Sequence, residues 1–224
     1  MRRVLILALF IAACAPLSFA QSSDEYNKVE FYGGYSHNRV DTGIDDADAD
    51  ADLRDIFDER TGFNGFNTSI TGNFHRYVGA KFDLSGHYRN DSFAIPGTTA
   101  TAEVDQRIYN FLGGIQFKDN SKETRLKPFA HVLAGGAHQS ATLRATGLGP
   151  IIGTTGDSFT VDDTSFAMAF GGGLDLRVHP RVDIRLIQID YNPVFLGEQR
   201  IDSTTTFDAG TQHNFRIGVG IVIH

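Results

Sequence analysis

From Val29 to His224, apolar and polar side chains alternate in segment after segment of this chain. A period of two marks a strand whose two faces meet different surroundings. Eight segments carry it, at about 29–38, 65–74, 78–88, 104–117, 128–139, 165–178, 182–191 and 212–224. In the third, Val78, Ala80, Phe82, Leu84 and Tyr88 oppose Lys81, Asp83, Ser85 and His87. In the sixth, Phe166, Met168, Phe170, Leu174, Leu176 and Val178 oppose Asp175 and Arg177. In the eighth, Phe215, Ile217, Val219, Ile221 and Ile223 oppose Asn214 and Arg216. The seventh changes phase. Val182, Ile184 and Leu186 alternate with Asp183 and Arg185, then Ile187, Ile189 and Tyr191 take over, which predicts a bulge near Leu186–Ile187. The fifth has small or apolar residues on both faces, so its register stays open.

The links between segments alternate in length. Short polar links, 75–77, 118–127 and 179–181, join strands two to three, four to five and six to seven. Long links at 40–64, 89–103, 140–164 and 192–211 join the others. This spacing predicts an all-β fold, an eight-stranded antiparallel up-and-down transmembrane β-barrel, with both chain ends on the short-turn, periplasmic rim. A soluble barrel buries its apolar face and a membrane barrel inverts it. The charges Lys81, Asp83, Asp175, Arg177, Asp183, Arg185 and Arg216 share the polar faces. In a membrane barrel of eight strands they line a lumen narrow enough for side chains to fill, as a paired charge network. In a soluble barrel they lie outside. Apolar faces about ten residues long match the spanning length of a tilted strand.

Composition is compatible with either barrel. Hydrophobic residues make up 41% of the chain and mean hydropathy is −0.18, an average in which the two faces cancel. The 24 glycines, 18 phenylalanines and absence of tryptophan favour strands and close strand packing over long helices. Tyr77, Tyr88, Tyr109 and Tyr191 lie near segment ends, where an aromatic girdle or ordinary strand preference would each put them.

The first twenty residues differ from the rest. Arg2 and Arg3 precede an apolar stretch, Val4–Ala15, and Ser18-Phe19-Ala20 is a small-x-small cleavage site. Residues 1–20 therefore read as a secretory signal peptide, 21–28 as a short periplasmic tail and 29–224 as the barrel. Cys14, the single cysteine, sits in Ile11-Ala12-Ala13-Cys14, which resembles a lipoprotein processing box. On the signal-peptide reading the mature chain has no cysteine. Removal of 1–20 leaves 18 basic against 27 acidic residues, so no nucleic-acid partner is expected.

Candidate chemistry is sparse. The chain lacks a phosphate loop, a cysteine zinc site and a Gly-x-Ser-x-Gly elbow. Ser36-His37 and Ser85-Gly86-His87, with Asp83 nearby, are the candidates for a nucleophile and base. The first pair points to opposite faces, and the second shares a polar face that lipid does not reach, so no enzyme activity is expected. In the first long link, Asp48, Asp50, Asp52 and Glu59 fall at positions 1, 3, 5 and 12 of an EF-hand-like frame, with Leu53 in place of the turn glycine. They form either a loose Ca²⁺ or Mg²⁺ site or a solvated acidic loop, and no cofactor is expected. The third long link carries the apolar, glycine-rich stretch 147–153.

The last strand, with Arg216, Gly218, Ile221 and Ile223, resembles the C-terminal signal read by the barrel-assembly machinery, but it ends on His224 instead of an aromatic residue. Residues 26–224 resemble the small outer-membrane barrels of the OmpA transmembrane-domain, OmpX and OmpW families. The segments Val29–Tyr35, Tyr109–Gly114, Lys127–Ala130 and Asn214–Arg216 carry the likeness. The resemblance implies the bacterial outer membrane, a lipid and lipopolysaccharide environment, insertion by the assembly machinery and a monomer. No residues follow the last strand, so the peptidoglycan-binding domain that follows the barrel in OmpA is not expected. Three functions follow from the sequence: a barrel with a structural or surface-interaction role and a charge-plugged interior; a narrow channel or carrier for small or apolar solutes; or a soluble, lipocalin-like secreted barrel. Detergent partition separates the last from the others. The chain without residues 1–20 is expected to need detergent or lipid, and a monomer stable in plain buffer would sink the membrane reading.

Overall fold

The computed structural model describes residues 26–41, 60–94, 101–146, 158–197, 199–200, 206–207 and 210–224. Eight long strands form the fold: β1 (Val29–Asp41), β2 (Arg60–His75), β3 (Val78–Ala94), β4 (Thr101–Lys118), β5 (Leu126–Thr146), β6 (Ser158–His179), β7 (Val182–Leu196) and β10 (Gly210–Ile223). A small hairpin, β8 (Gln199–Arg200) with β9 (Thr206–Phe207), lies in the last long link. Each long strand pairs antiparallel with its neighbours in sequence. β10 returns to β1, from Phe31↔Ile223 to Arg39↔Phe215, and closes the barrel. Among the described residues no helix is long and apolar enough to cross a membrane, and the crossing elements are strands.

The strands outrun the alternating segments, mostly at the long-link end. β5 and β6 have 21 and 22 residues where the alternating pattern suggests 12 and 14. The hairpins continue past the membrane, where both faces meet water and alternation is no longer required. The link at 118–127 also contracts, because Lys118 ends β4 and Lys127 lies in β5. The open register of the fifth segment is settled. Lys127, Phe129, His131, Leu133 and Ala137 face inward and are buried, while Leu126 and Val132 face outward. The bulge lies at Leu186: the β6–β7 pairing steps from Leu174↔Ile187 to Asp175↔Arg185, and Leu186 and Ile187 are both exposed.

The faces are inverted relative to a soluble protein. Phe31, Ile70, Phe82, Phe111, Phe170, Ile189, Ile217 and Ile221 all point outward and are 41–52% exposed, whereas Lys81, Asp83, Asp175, Asp183, Arg185 and Arg216 are at most 2% exposed. An outward belt of this composition, on a cylinder with no free edge, is what hydrocarbon requires of strands.

Glycine lets the seam close. Gly34 and Gly220 face each other across β1 and β10. A Cβ on Gly34 would clash with the Val219 carbonyl oxygen and stand 2.6 Å from the Tyr32 hydroxyl. One on Gly220 would stand 2.8 Å from Tyr32 Cε2. The two glycines thus make the space in which the Tyr32 ring turns into the lumen. Gly34→Val is expected to destabilise the barrel by about 3 kcal/mol or more, since backbone stands where the side chain would go. With no tryptophan to report unfolding, the loss would be read from heat-modified gel mobility across a urea series.

Candidate functional site: the buried charge network of the lumen

Ten charged side chains face inward and are buried: Glu30, Asp83, Asp175, Asp183 and Asp190 against Lys81, Lys118, Lys127, Arg185 and Arg216. Five acids meet five bases, so the described interior is formally neutral with its histidines uncharged. Each charge lies on a strand position whose parity points inward, and strand alternation places all ten in one narrow tube.

At the short-turn end, Lys118 bridges Glu30 (3.0 Å) and Asp175 (2.8 Å), and Lys127 contacts Asp183 (2.9 Å). His224 Nε2 lies 2.8 Å from the same Asp183. At mid-height Arg185 holds Asp175 through two bonds of 2.8 and 3.1 Å and donates to Gln188 Oε1 at 2.7 Å. Its guanidinium lies between two rings, 4.1 Å from the Tyr32 centroid and 4.0 Å from that of Phe129. Arginine suits this place because its planar cation stacks on both faces while its edge binds a carboxylate.

Gln188 links this group to the next. Its Nε2 donates to Asp190 Oδ2 at 2.7 Å. Arg216 clamps Asp190 through Nε and Nη2 (2.9 and 2.6 Å) and reaches Asp83 through Nη1 at 2.9 Å. Asn67 Nδ2 also donates to Asp83, at 2.9 Å. Lys81 Nζ lies 3.3 Å from His131 Nδ1, and His131 Nε2 lies 3.0 Å from Asp190 Oδ1. An ammonium can only donate, so Nδ1 accepts and Nε2 carries the proton toward Asp190. A neutral imidazole therefore fits between a cation and an anion.

Six of the seven charges named on the polar faces lie in this network. Arg177 is the exception: it is half-buried near the rim and joins no ion pair among the described residues, although it stands opposite Asp183 in the β6–β7 register. Glu30, Lys118, Lys127 and Asp190 were not singled out in the sequence. Lys118 and Lys127 fell inside an assumed link, and Asp190 follows the phase change of the seventh segment. Parity counted from Arg216 and Lys81 through the bulge is the signal that finds them.

The serines and histidines pair differently from their spacing in sequence. His37 faces outward and shares Asn64 Oδ1 with the Tyr35 hydroxyl, at 2.9 and 2.6 Å. Ser36 faces inward, and its Oγ lies 2.9 Å from His87 Nε2 on the lumen side, across β2. Both are fully buried, Ser85 accepts from Asn110 instead, and Asp83 is engaged by Arg216 and Asn67. Among the described residues no carboxylate bonds His87, and both members of the dyad face the lumen and not the lipid. Asp48, Asp50, Asp52 and Glu59, the stretch 147–153 and residues 1–20 all fall outside the described residues. Among the described residues no three metal-binding side chains cluster. In the last strand, Arg216 and Gly218 are buried while Ile221 and Ile223 point outward.

Outside the spanning region, the short turns are tied together. Burial raises the pKa of Asp119, but bonds from Arg76 Nε (3.2 Å), Thr124 Oγ1 (2.8 Å) and the Ser121 N–H (3.1 Å) outweigh it and hold the carboxyl below its ordinary range.

Removing one member of a buried pair leaves its partner buried without a compensating charge. Arg216→Met, which leaves Asp83 and Asp190 uncompensated, is expected to cost about 3–5 kcal/mol. Arg216→Met combined with Asp190→Asn and Asp83→Asn should recover much of that loss. Urea titration in lipid vesicles measures both, and equal losses in the single and triple variants would contradict the pairing.

The profile of the outer membrane protein beta-barrel domain family matches residues 5–222. No curated protein sequence matches the chain. Among solved structures, Ail, the attachment invasion locus protein of Yersinia pestis, in complex with the heparin analogue sucrose octasulfate, is 18% identical at a TM-score of 0.51, over 88% of this chain and 98% of that one. Neisserial surface protein A is 10% identical at 0.48, over 89% of this chain and 99% of that one. OprG of Pseudomonas aeruginosa is 12% identical at 0.44, over 89% and 96%. The closed eight-stranded cylinder, its apolar outer belt and the profile match across nearly the whole sequence place this bacterial outer-membrane protein in the outer membrane protein beta-barrel domain family.

Proposed function

We propose that this protein is a plugged outer-membrane barrel with a structural or surface-interaction role, non-catalytic and monomeric. Residues 1–20 would direct its export, and the assembly machinery would recognise Arg216, Gly218, Ile221 and Ile223. The observation that carries the reading is the lumen network. Five acids and five bases, paired at 2.6–3.1 Å for all the short contacts of Arg185, Arg216, Lys118 and Lys127, cross the tube at mid-height and at its periplasmic end. An ion entering this region would have to displace a paired charge in a region of low dielectric, which is costly. Lys81, Asp83, Asp175, Asp183, Arg185 and Arg216 are then plug residues, and Arg177 is a rim residue beside them.

With the interior closed, specificity falls to the long links, including the acidic one with Asp48, Asp50, Asp52 and Glu59. The Ail structure holds a polyanion. Without residues 1–20 the chain carries 18 basic against 27 acidic residues, a balance that argues against the same kind of ligand and favours cationic or neutral partners. In planar lipid bilayers the wild-type protein is expected to give no discrete conductance steps. Arg185→Ala with Asp175→Ala, which removes both partners of the stacked pair, should produce them. Steps from the wild type would favour the narrow-channel reading instead.

A further inference from the structure

The two ends of the cylinder carry opposite charge. The four long links, 40–64, 89–103, 140–164 and 192–211, hold seventeen acids against five bases. At the short-turn end the described residues include six bases, Lys28, Arg76, Lys122, Arg125, Arg177 and Arg181, against two acids, Asp119 and Glu123. Asp24 and Glu25 lie outside the described residues. Asp119 is already held by Arg76 at 3.2 Å. The lumen between the two ends is balanced, five acids against five bases, so it does not draw on these cations. An acidic chain therefore presents a basic surface at one end only.

Three of the cations stand on consecutive staves. Arg125 immediately precedes β5 and Arg177 lies near the end of β6. The Arg177 N–H donates to the Arg125 carbonyl at 2.8 Å, which sets the two residues side by side at one height. Arg181 lies in the β6–β7 turn, two residues before Asp183, the register partner of Arg177. Its carbonyl accepts from the His224 N–H at 3.0 Å. Arg125 and Arg181 are exposed and Arg177 is half-buried. Lys122, also exposed, is in the neighbouring β4–β5 turn. None of these four forms an ion pair among the described residues.

Their depth fits a headgroup. Leu126 and Val178, each next in sequence to one of the arginines, point outward and are half exposed. Phe74, Tyr77, Phe117 and Ile223 continue this apolar ring around the same end. A strand climbs about 3.3 Å per residue, so the guanidinium groups reach the layer just past the hydrocarbon edge. Arg76 over the Tyr77 ring, 5.2 Å from its centroid, marks the same boundary. Arginine suits a phosphate there because its planar fork gives two N–H groups to one anion.

We propose that Arg125, Arg177 and Arg181, with Lys122 beside them, form a binding surface for the phosphate of an anionic glycerophospholipid headgroup and hold the short-turn end against a leaflet that contains such lipid. A zwitterionic headgroup gains less, because it brings its own ammonium to a cationic surface. The inference rests on the outer-membrane placement of the barrel and is independent of the plug.

Native mass spectrometry of the full chain in detergent, titrated with phosphatidylglycerol and separately with phosphatidylcholine, reads the preference. The unmodified protein should bind phosphatidylglycerol more tightly, and the difference should shrink as ammonium acetate is raised. Arg125→Gln with Arg181→Gln should weaken phosphatidylglycerol binding by about fivefold per arginine removed and leave phosphatidylcholine binding unchanged. Arg107→Gln with Arg144→Gln removes two exposed arginines toward the long-link end and should keep the preference. Heat-modified gel mobility checks that both variants are folded. No preference in the unmodified protein, or equal weakening by the two double variants, would overturn the surface. Displacement of the lipid by inorganic phosphate beyond that by chloride at equal ionic strength would make it a free-anion site. Tighter binding of soluble peptidoglycan fragments than of phosphatidylglycerol would assign it to the cell wall. Either result overturns the lipid reading, and none of the four bears on whether the plug conducts.

Discussion

Strands in hydrocarbon have nowhere to place an unpaired backbone amide except against another strand, and the cost of leaving one exposed is several kcal/mol. That constraint closes β10 onto β1 and leaves the eight long strands without a free edge. Closure then dictates the rest. A cylinder of eight strands is too narrow to hold much water, so whatever points inward must be satisfied by other side chains. It also fixes parity, because each residue of a spanning strand is committed either to lipid or to the lumen.

The lumen meets this demand with charges. Burying an ion pair is not in itself a strong source of stability, since desolvation offsets most of the attraction. Its effect is specificity. Arg185 fits one arrangement, between Tyr32 and Phe129 with its edge on Asp175, and Arg216 fits one arrangement between Asp83 and Asp190. A strand slipped by one residue would turn these groups into lipid and bring Phe and Ile inside. The network thereby fixes the register of β3, β6, β7 and β10 together, with Gln188 joining its two halves. The glycines at Gly34 and Gly220 belong to the same arrangement, for they make room for the ring that Arg185 stacks upon.

The departures from regularity sit where the two demands conflict. The bulge at Leu186 puts two consecutive apolar residues on the outer face and lets Arg185 and Gln188 both face inward. Pro193 has no N–H to give across the β6–β7 pairing, and the Asn192 amide bonds the Met168 carbonyl in its place. The two irregularities lie on the same strand, so β7 is the least uniform stave of the barrel. Its lumen side runs from the charged network at Arg185 and Asp190 to the apolar cluster at Val194.

Alternation along the chain was enough for the strand count, the up-and-down order and the bulge, because period two is a local property set by each strand having two unlike neighbours. The inward direction of Lys81, Asp83, Asp175, Asp183, Arg185 and Arg216 was not local. A charged face alternating with an apolar one reads the same in a soluble barrel and in a membrane barrel, and the curvature of the closed sheet decides between them. Strand length escaped the sequence for the converse reason: beyond the membrane β5 and β6 meet water on both faces, so alternation stops while backbone pairing continues. Partners escaped it too. Ser36 stands beside His37 in the chain but bonds His87, and Lys118 meets Glu30 and Asp175 from strands far apart in sequence. The sequence by itself determined which residues share a face. Closure of the cylinder decided which face is inside and which charges meet, because those depend on the distance across the tube and not on the distance along the chain.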